Sequence, residues 1–362
     1  MDLKGNCRTT AMGVLPHTDP NKALDLALSL DVPFWPQLPL ASFYEDMWVQ
    51  TSEGFPGITV DTEHRGISFH TEKFMDELGE YAKRMAYSET YALTCHSSLL
   101  FHRFLNSKLD FYPAIRGQVT GPINFGFRIV DENKKPIIYN EEVKLLLYDF
   151  IQRKVNIQYR ELLNKNRNCF IWLDEPGFGW VFTSLSGYND LQAKEDYNNF
   201  YAGIEGPKAL HLCLNVNLPY LLGLGLDILS INAYQFETMP RAYADPIARF
   251  IKSGGIIVWG IVPTCAATLE KETAQTLVGR LSSYWDSIAE SSDISMREIA
   301  LQALISPAQC CIKYTDKNEA GNNTGHYEPG SFHAPGIEER IVEKAFSYVR
   351  QISKILQDGF NL

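Results

Sequence analysis

The chain has no excess of basic residues. Lys and Arg number 33 against 43 Asp and Glu, a net charge of −10 over 362 residues. An acidic chain without a basic stripe repels phosphate backbones and anionic lipid, so neither nucleic acid nor a membrane surface is expected as a partner. Long apolar runs are lacking as well. The longest, 218–231, is broken by Pro219 and Asp227 and is too short to span a bilayer. Residues 1–10 are polar and carry no apolar signal-peptide core. The seven cysteines are odd in number and scattered, unlike a disulfide framework. A cytoplasmic location is therefore expected, with thiols that are buried, metal-bound or reactive. No Gly-rich phosphate turn follows the first apolar run, which tells against a dinucleotide-binding sheet. Neither an internal repeat nor a low-complexity linker divides the chain.

What is there is alternation. Short apolar runs at 9–14, 32–37, 114–120, 169–174, 209–213, 227–232, 256–261 and 303–306 read as eight strands. The last of them could equally finish a helix. Between them lie stretches of 3.6-residue periodicity at 141–163, 240–252, 269–290 and 337–356, with a further helix near 73–87. Thr18-Asp19-Pro20 is a helix start signal leading into the apolar face Ala23, Leu24, Ala27 and Leu28. Eight strands with helices between them predict one α/β domain over 1–362, a single (β/α)8 TIM barrel with a Gly/Asn/Pro-rich loop inserted at 315–336. An open doubly wound sheet is the structural alternative.

In a barrel, reactive groups gather where the strands end. The residues expected on that rim are His17, Gln37, Gln118 with Thr120, Asp174 with Glu175, His211 with Cys213, Asn232 with Tyr234, Thr264, and Cys310 with Cys311. His211-Leu212-Cys213 is the sharpest feature. Residues two apart on a strand point to one side, so imidazole and thiolate converge. With Cys310 or Cys311 they make a zinc site with one exchangeable position, the form that catalytic zinc takes. A buried histidine among small hydrophobic cysteines is the plainer reading of the same residues.

The chain resembles the barrel superfamily of uroporphyrinogen decarboxylase and cobalamin-independent methionine synthase. The segments that carry the resemblance are Gly13-Val14-Leu15-Pro16-His17, Pro36-Gln37-Leu38-Pro39, Gly117-Gln118-Val119-Thr120-Gly121-Pro122 and Asp174-Glu175-Pro176. They continue with His211-Leu212-Cys213, Trp259-Gly260-Ile261-Val262-Pro263-Thr264 and Ser306-Pro307-Ala308-Gln309-Cys310, in family order over most of the chain. The segment Pro36-Gln37-Leu38-Pro39 looks like the short, single-barrel methionine-synthase-like branch.

The resemblance implies a zinc-dependent methyltransferase that methylates a thiol, homocysteine first and coenzyme M or another thiol second. Zinc ligands would be His211, Cys213 and Cys310, with Cys311 as the alternative. Asp174 resembles the acid that binds the homocysteine ammonium group, though it could equally cap a helix. His17 is the second candidate catalytic group, orienting a ligand. Gln37, Gln118 and Asn232 are the candidate substrate-binding residues. The long synthases carry an additional folate-binding barrel, so here methylcobalamin, or a corrinoid protein presenting it, is the expected donor.

The sequence departs from the pattern in three places. Asn232 stands where full-length synthases have an additional Glu ligand, Val14 replaces a small Ser, and the last motif carries one extra residue before Cys310. The alternatives are a decarboxylase of the uroporphyrinogen type, for which the N-terminal region lacks an Arg cluster, and a non-catalytic barrel that binds a thiol or corrinoid.

Overall fold

A computed structural model describes residues 3–183, 186–214, 217–311 and 335–362. Most of the expected inserted loop, 315–334, lies outside the described residues.

Nine strands are present among them: β1 (Arg8–Thr9), β2 (Ile58–Asp61), β3 (Gly66–Phe69), β4 (Ile115–Thr120), β5 (Cys169–Asp174), β6 (Lys208–Leu212), β7 (Ile228–Ile231), β8 (Ile256–Val262) and β9 (Ala303–Pro307). Seven form one parallel sheet in the order β1-β9-β8-β7-β6-β5-β4, while β2 and β3 pair as a separate antiparallel hairpin. The result is an α/β protein with a curled seven-stranded parallel sheet and helices, a half-barrel consistent with a TIM-like barrel.

The expected second strand, 32–37, is not a strand. It touches both edges of the sheet through isolated bridges, Val14 with Gln37 and Phe34 with Arg116. Val32 N–H donates to Thr9 O, Gln37 N–H to Gly13 O, and Arg116 N–H to Pro33 O. The physical reason is in the residues: Pro33 and Pro36 have no N–H, and a strand that cannot donate cannot build a ladder. The first strand shortens from the expected 9–14 to Arg8–Thr9 for want of a regular partner on that side. By contrast, the ambiguous run at 303–306 is a true strand, paired with both β8 and β1.

β4 to β9 are buried along almost their whole length, as expected of a parallel sheet covered on both faces. Their outward residues, Leu210, Leu212, Leu229 and Ile257 among them, pack against the helices. The inward residues nearest the strand starts form a separate floor of Val32, Ala114, Phe170, Ala209, Ile228, Ile256 and Leu304. The helices start where capping chemistry allows. Asn140 accepts Val143 N–H at the head of helix Glu141–Leu163, and a reciprocal Thr273/Thr276 box opens Ala274–Ser291.

Candidate active site

Side chains two apart on a strand share a face, so each inward row can be followed upward from the floor. On β4 the row runs Ala114, Arg116, Gln118, Thr120, and on β5 it runs Phe170, Trp172, Asp174. On β6 it is Ala209, His211, Cys213, and on β7 Ile228, Ser230, Asn232. Each row starts apolar and ends polar. The polar ends meet at the strands' C-terminal ends, where a barrel fold does its chemistry.

His211 is almost fully buried. Its Nδ1 is 2.9 Å from Ser230 Oγ, and its Nε2 is buried with no hydrogen-bond partner. The ring stacks on Trp172 with centroids 5.1 Å apart. Burial, aided by the Arg116 cation, pushes the imidazole down to about 3, so it is neutral at physiological pH. Cys213 is pushed up to about 11 by burial and by the negative charge of Asp174. Cys310 is raised well above an ordinary thiol by burial, then by Cys213, Asp174 and Cys311. Cys213, Cys310 and Asp174 therefore share one electrostatic neighbourhood, with both thiols in the protonated form.

Cys311 is placed differently. It packs in an apolar cluster with Leu15, Val342 and Phe346. A cavity of about 170 Å³ opens beside the pair, lined by Thr264, Ala266, Cys310, Cys311 and Ile341 among others.

Arg116 lies under these groups and was not foreseen. The guanidinium is fully buried, with its centre 3.5 Å from the Trp172 ring centroid and 4.6 Å from that of Phe34. Nε donates to Thr10 Oγ1 at 3.1 Å and Nη1 to Gln118 Oε1 at 2.9 Å. Burial lowers its proton affinity while Asp174 and Cys310 raise it. Asp174 is the mirror image: burial raises its carboxyl and Arg116 draws it back down.

The remaining expected residues divide. Gln118 is committed to the framework, accepting from Arg116 and donating to Trp35 O at 2.9 Å. Asn232 caps the short helix Ala233–Gln235 and donates to Cys213 O at 3.2 Å. Gln37 donates to Gln50 Oε1 at 2.8 Å, leaving its own Oε1 buried and unpartnered. His17 is buried with neither ring nitrogen hydrogen-bonded; burial lowers its proton affinity, while Glu339, Lys22, Glu343 and Asp19 act on it electrostatically. Asp174 caps no helix, because the next one, Phe178–Val181, begins at Gly177 with no side-chain cap.

Glu175, which could have been a solvated turn residue, is not one. It is fully buried and accepts from Ile123 N–H at 3.0 Å, from Asn124 N–H at 2.6 Å and from the Tyr197 hydroxyl. Gly121 is required beneath it, since a Cβ there would collide with the carboxylate.

Among the described residues, no three His, Cys, Asp or Glu side chains stand close enough to hold a metal ion. The donor chemistry nonetheless fits zinc. A zinc-binding histidine presents one bare nitrogen and fixes the other by a hydrogen bond, which is the state of His211, and two thiols lie on the adjoining rim. Arg116, Trp172 and Ser230 were missed by sequence reasoning. The signal was the period of two: each lies two residues before a rim position already singled out.

No protein-family model and no curated protein matches the chain. Among solved structures, it is similar to a B12-independent methionine synthase from Shewanella sp. W3-18-1 in complex with selenomethionine. The identity is 11% and the TM-score 0.46, over 94% of this chain and 89% of that one. That is a coarse likeness of fold, and the site rests on its own residues. No helix among the described residues is long and apolar enough to cross a membrane.

Proposed function

We propose that this chain is a zinc-dependent methyltransferase that methylates a small thiol. One observation carries the reading: His211 Nε2 is buried and bare, its Nδ1 is held by Ser230, and Cys213 and Cys310 act on each other electrostatically. His211, Cys213 and Cys310 would hold the metal. Both protein thiols are pushed upward as they stand, and a bound zinc ion would supply a charge strong enough to keep sulfur deprotonated at neutral pH. A thiolate is the nucleophile that methyl transfer needs.

The chain's own residues set the conditions. Ser230 fixes the His211 ring, and burial keeps the imidazole neutral and thus able to ligate. Trp172 and Phe34 exclude water from beneath the site, and Asp174 lies within electrostatic reach of both thiols. Homocysteine is the first acceptor to try, with methylcobalamin or a methylated corrinoid protein as donor.

The test is metal content in wild type and in Cys213→Ser. About one zinc per chain in wild type and none in the variant supports the reading, and a methylcobalamin-plus-homocysteine assay then asks for methionine. Wild type that remains empty after incubation with zinc overturns it and leaves a barrel that binds without reacting.

A further inference from the structure

A guanidinium has five N–H donors in a fixed fork. In Arg116, Nε and Nη1 are spent on Thr10, Gly117 and Gln118, while Nη2 is buried with no partner. Trp172 and Phe34 lie against the guanidinium, and the residue has no exposed surface. Side-chain bonds and ring packing together deny it an escape to solvent. No carboxylate forms an ion pair with it among the described residues; Asp174 acts on it electrostatically but makes no hydrogen bond to it. Burying a cation without a bonded anion is costly, and an anion bonded to it would offset that cost. Trp172 Nε1 and Thr120 Oγ1, on the same inward rows, are also buried without partners.

We infer that Arg116 is an anion-binding residue at the base of the site, receiving on Nη2 the carboxylate or sulfonate of the acceptor. The inference deepens the thiol-methyltransferase reading and rests on it for the word acceptor. Arg116 interacts electrostatically with Cys310 and His211, which puts an anion on Nη2 near the thiols. With Nε and Nη1 already committed, the contact is made by Nη2 alone, a charge-assisted bond from a group that stays positively charged at physiological pH. Arg116 thus selects thiols that carry a negative end and rejects neutral or cationic ones.

The experiment uses the full chain stripped of metal by chelation, so that its result does not depend on zinc. Butyrate, ethanesulfonate and the neutral butyramide are titrated by calorimetry into wild type, Arg116→Gln and Arg116→Lys. Saturable binding of butyrate or ethanesulfonate but not of butyramide, weakened at least tenfold in Arg116→Gln and less in Arg116→Lys, supports the assignment. Whichever anion binds names the acceptor's charged group. Binding of neither anion to wild type overturns it, as does equal binding to Arg116→Gln. Should neither variant fold, a butyrate-soaked wild-type crystal decides: carboxylate density against Nη2 supports the assignment, and its absence there overturns it. A protein that binds butyrate through Arg116 yet takes up no zinc would refute the methyltransferase reading alone.

Discussion

Asp174 and Glu175 are neighbours in sequence and both are buried carboxylates, yet they belong to two different regions. Glu175 sits where the turns after β4 and β5 meet, and every donor around it is used: two backbone N–H groups and a tyrosine hydroxyl. Asp174 faces the inside of the curled sheet, where His211 Nε2, Arg116 Nη2 and Thr120 Oγ1 have no partner. Buried polar groups in proteins are nearly always satisfied. A saturated cluster is therefore a brace, whereas the unsaturated one has donors and acceptors left over, as the proposed site requires. The contrast separates structure from function within a single dipeptide.

The comparison predicts opposite consequences for mutation. Glu175→Ala strands three buried donors at ~1–3 kcal/mol each, so it should cost roughly 3–9 kcal/mol in urea denaturation. A loss under about 1 kcal/mol would mean the brace is not one. Lys154 lies between the two cases, fully buried with a single bond to Glu53 O at 3.1 Å. Burial lowers its amine from 10.5 to about 8. Between those values the unfolded chain holds the proton and the folded one does not, so stability rises with pH. Relative to Lys154→Met, wild type should gain up to about 3 kcal/mol from pH 8 to pH 10.5. Parallel denaturation profiles for the two proteins would refute it.

The unsaturated region should respond in affinity and hardly in stability. Ser230→Ala frees the His211 ring and is expected to weaken zinc binding by about 10- to 100-fold, with the denaturation midpoint little changed. Unaltered zinc affinity would mean that Ser230 does not orient the ligand. Smallest is Ile228→Val in the apolar floor, at about 0.5–1.5 kcal/mol. It should leave metal content as in wild type, and a change there would show that floor and site are not independent.

Much of this was legible from the chain because parallel strands buried on both faces are written as unbroken apolar runs. The run at 169–174 coincides with β5, and the start of that at 256–261 with β8. The segment 32–37 misled for the complementary reason: its aromatics read as strand, while its prolines forbid a ladder. The hairpin β2–β3 went unread because its short strands are half-exposed and lie among irregular sequence. That His211 and Cys213 fall on one inward row was readable from their spacing. That Cys310 feels Cys213 while Cys311 packs with Leu15 and Phe346 was not, since the chain has left regular structure after Pro307 and local periodicity says nothing there. The partnership of Arg116 with Trp172 comes from strand register, a long-range property that only folding reveals.

The join between β1 and β4 is the weak seam of the curl. From β4 to β9 adjacent strands pair in register, with one shift at Gly260/Val262 between β8 and β9, whereas here 32–37 meets its neighbours through separate bonds. Amide hydrogens of Val32 and Gln37 should accordingly trade with solvent deuterium well before those of β5, by partial opening rather than complete unfolding. Refolding should close the curl at this point last, after β4 to β9 have assembled. The same Gln37 then ties the seam, through Gln50, to Glu45 and the outer layer, so breathing at the join would be felt beyond the sheet itself.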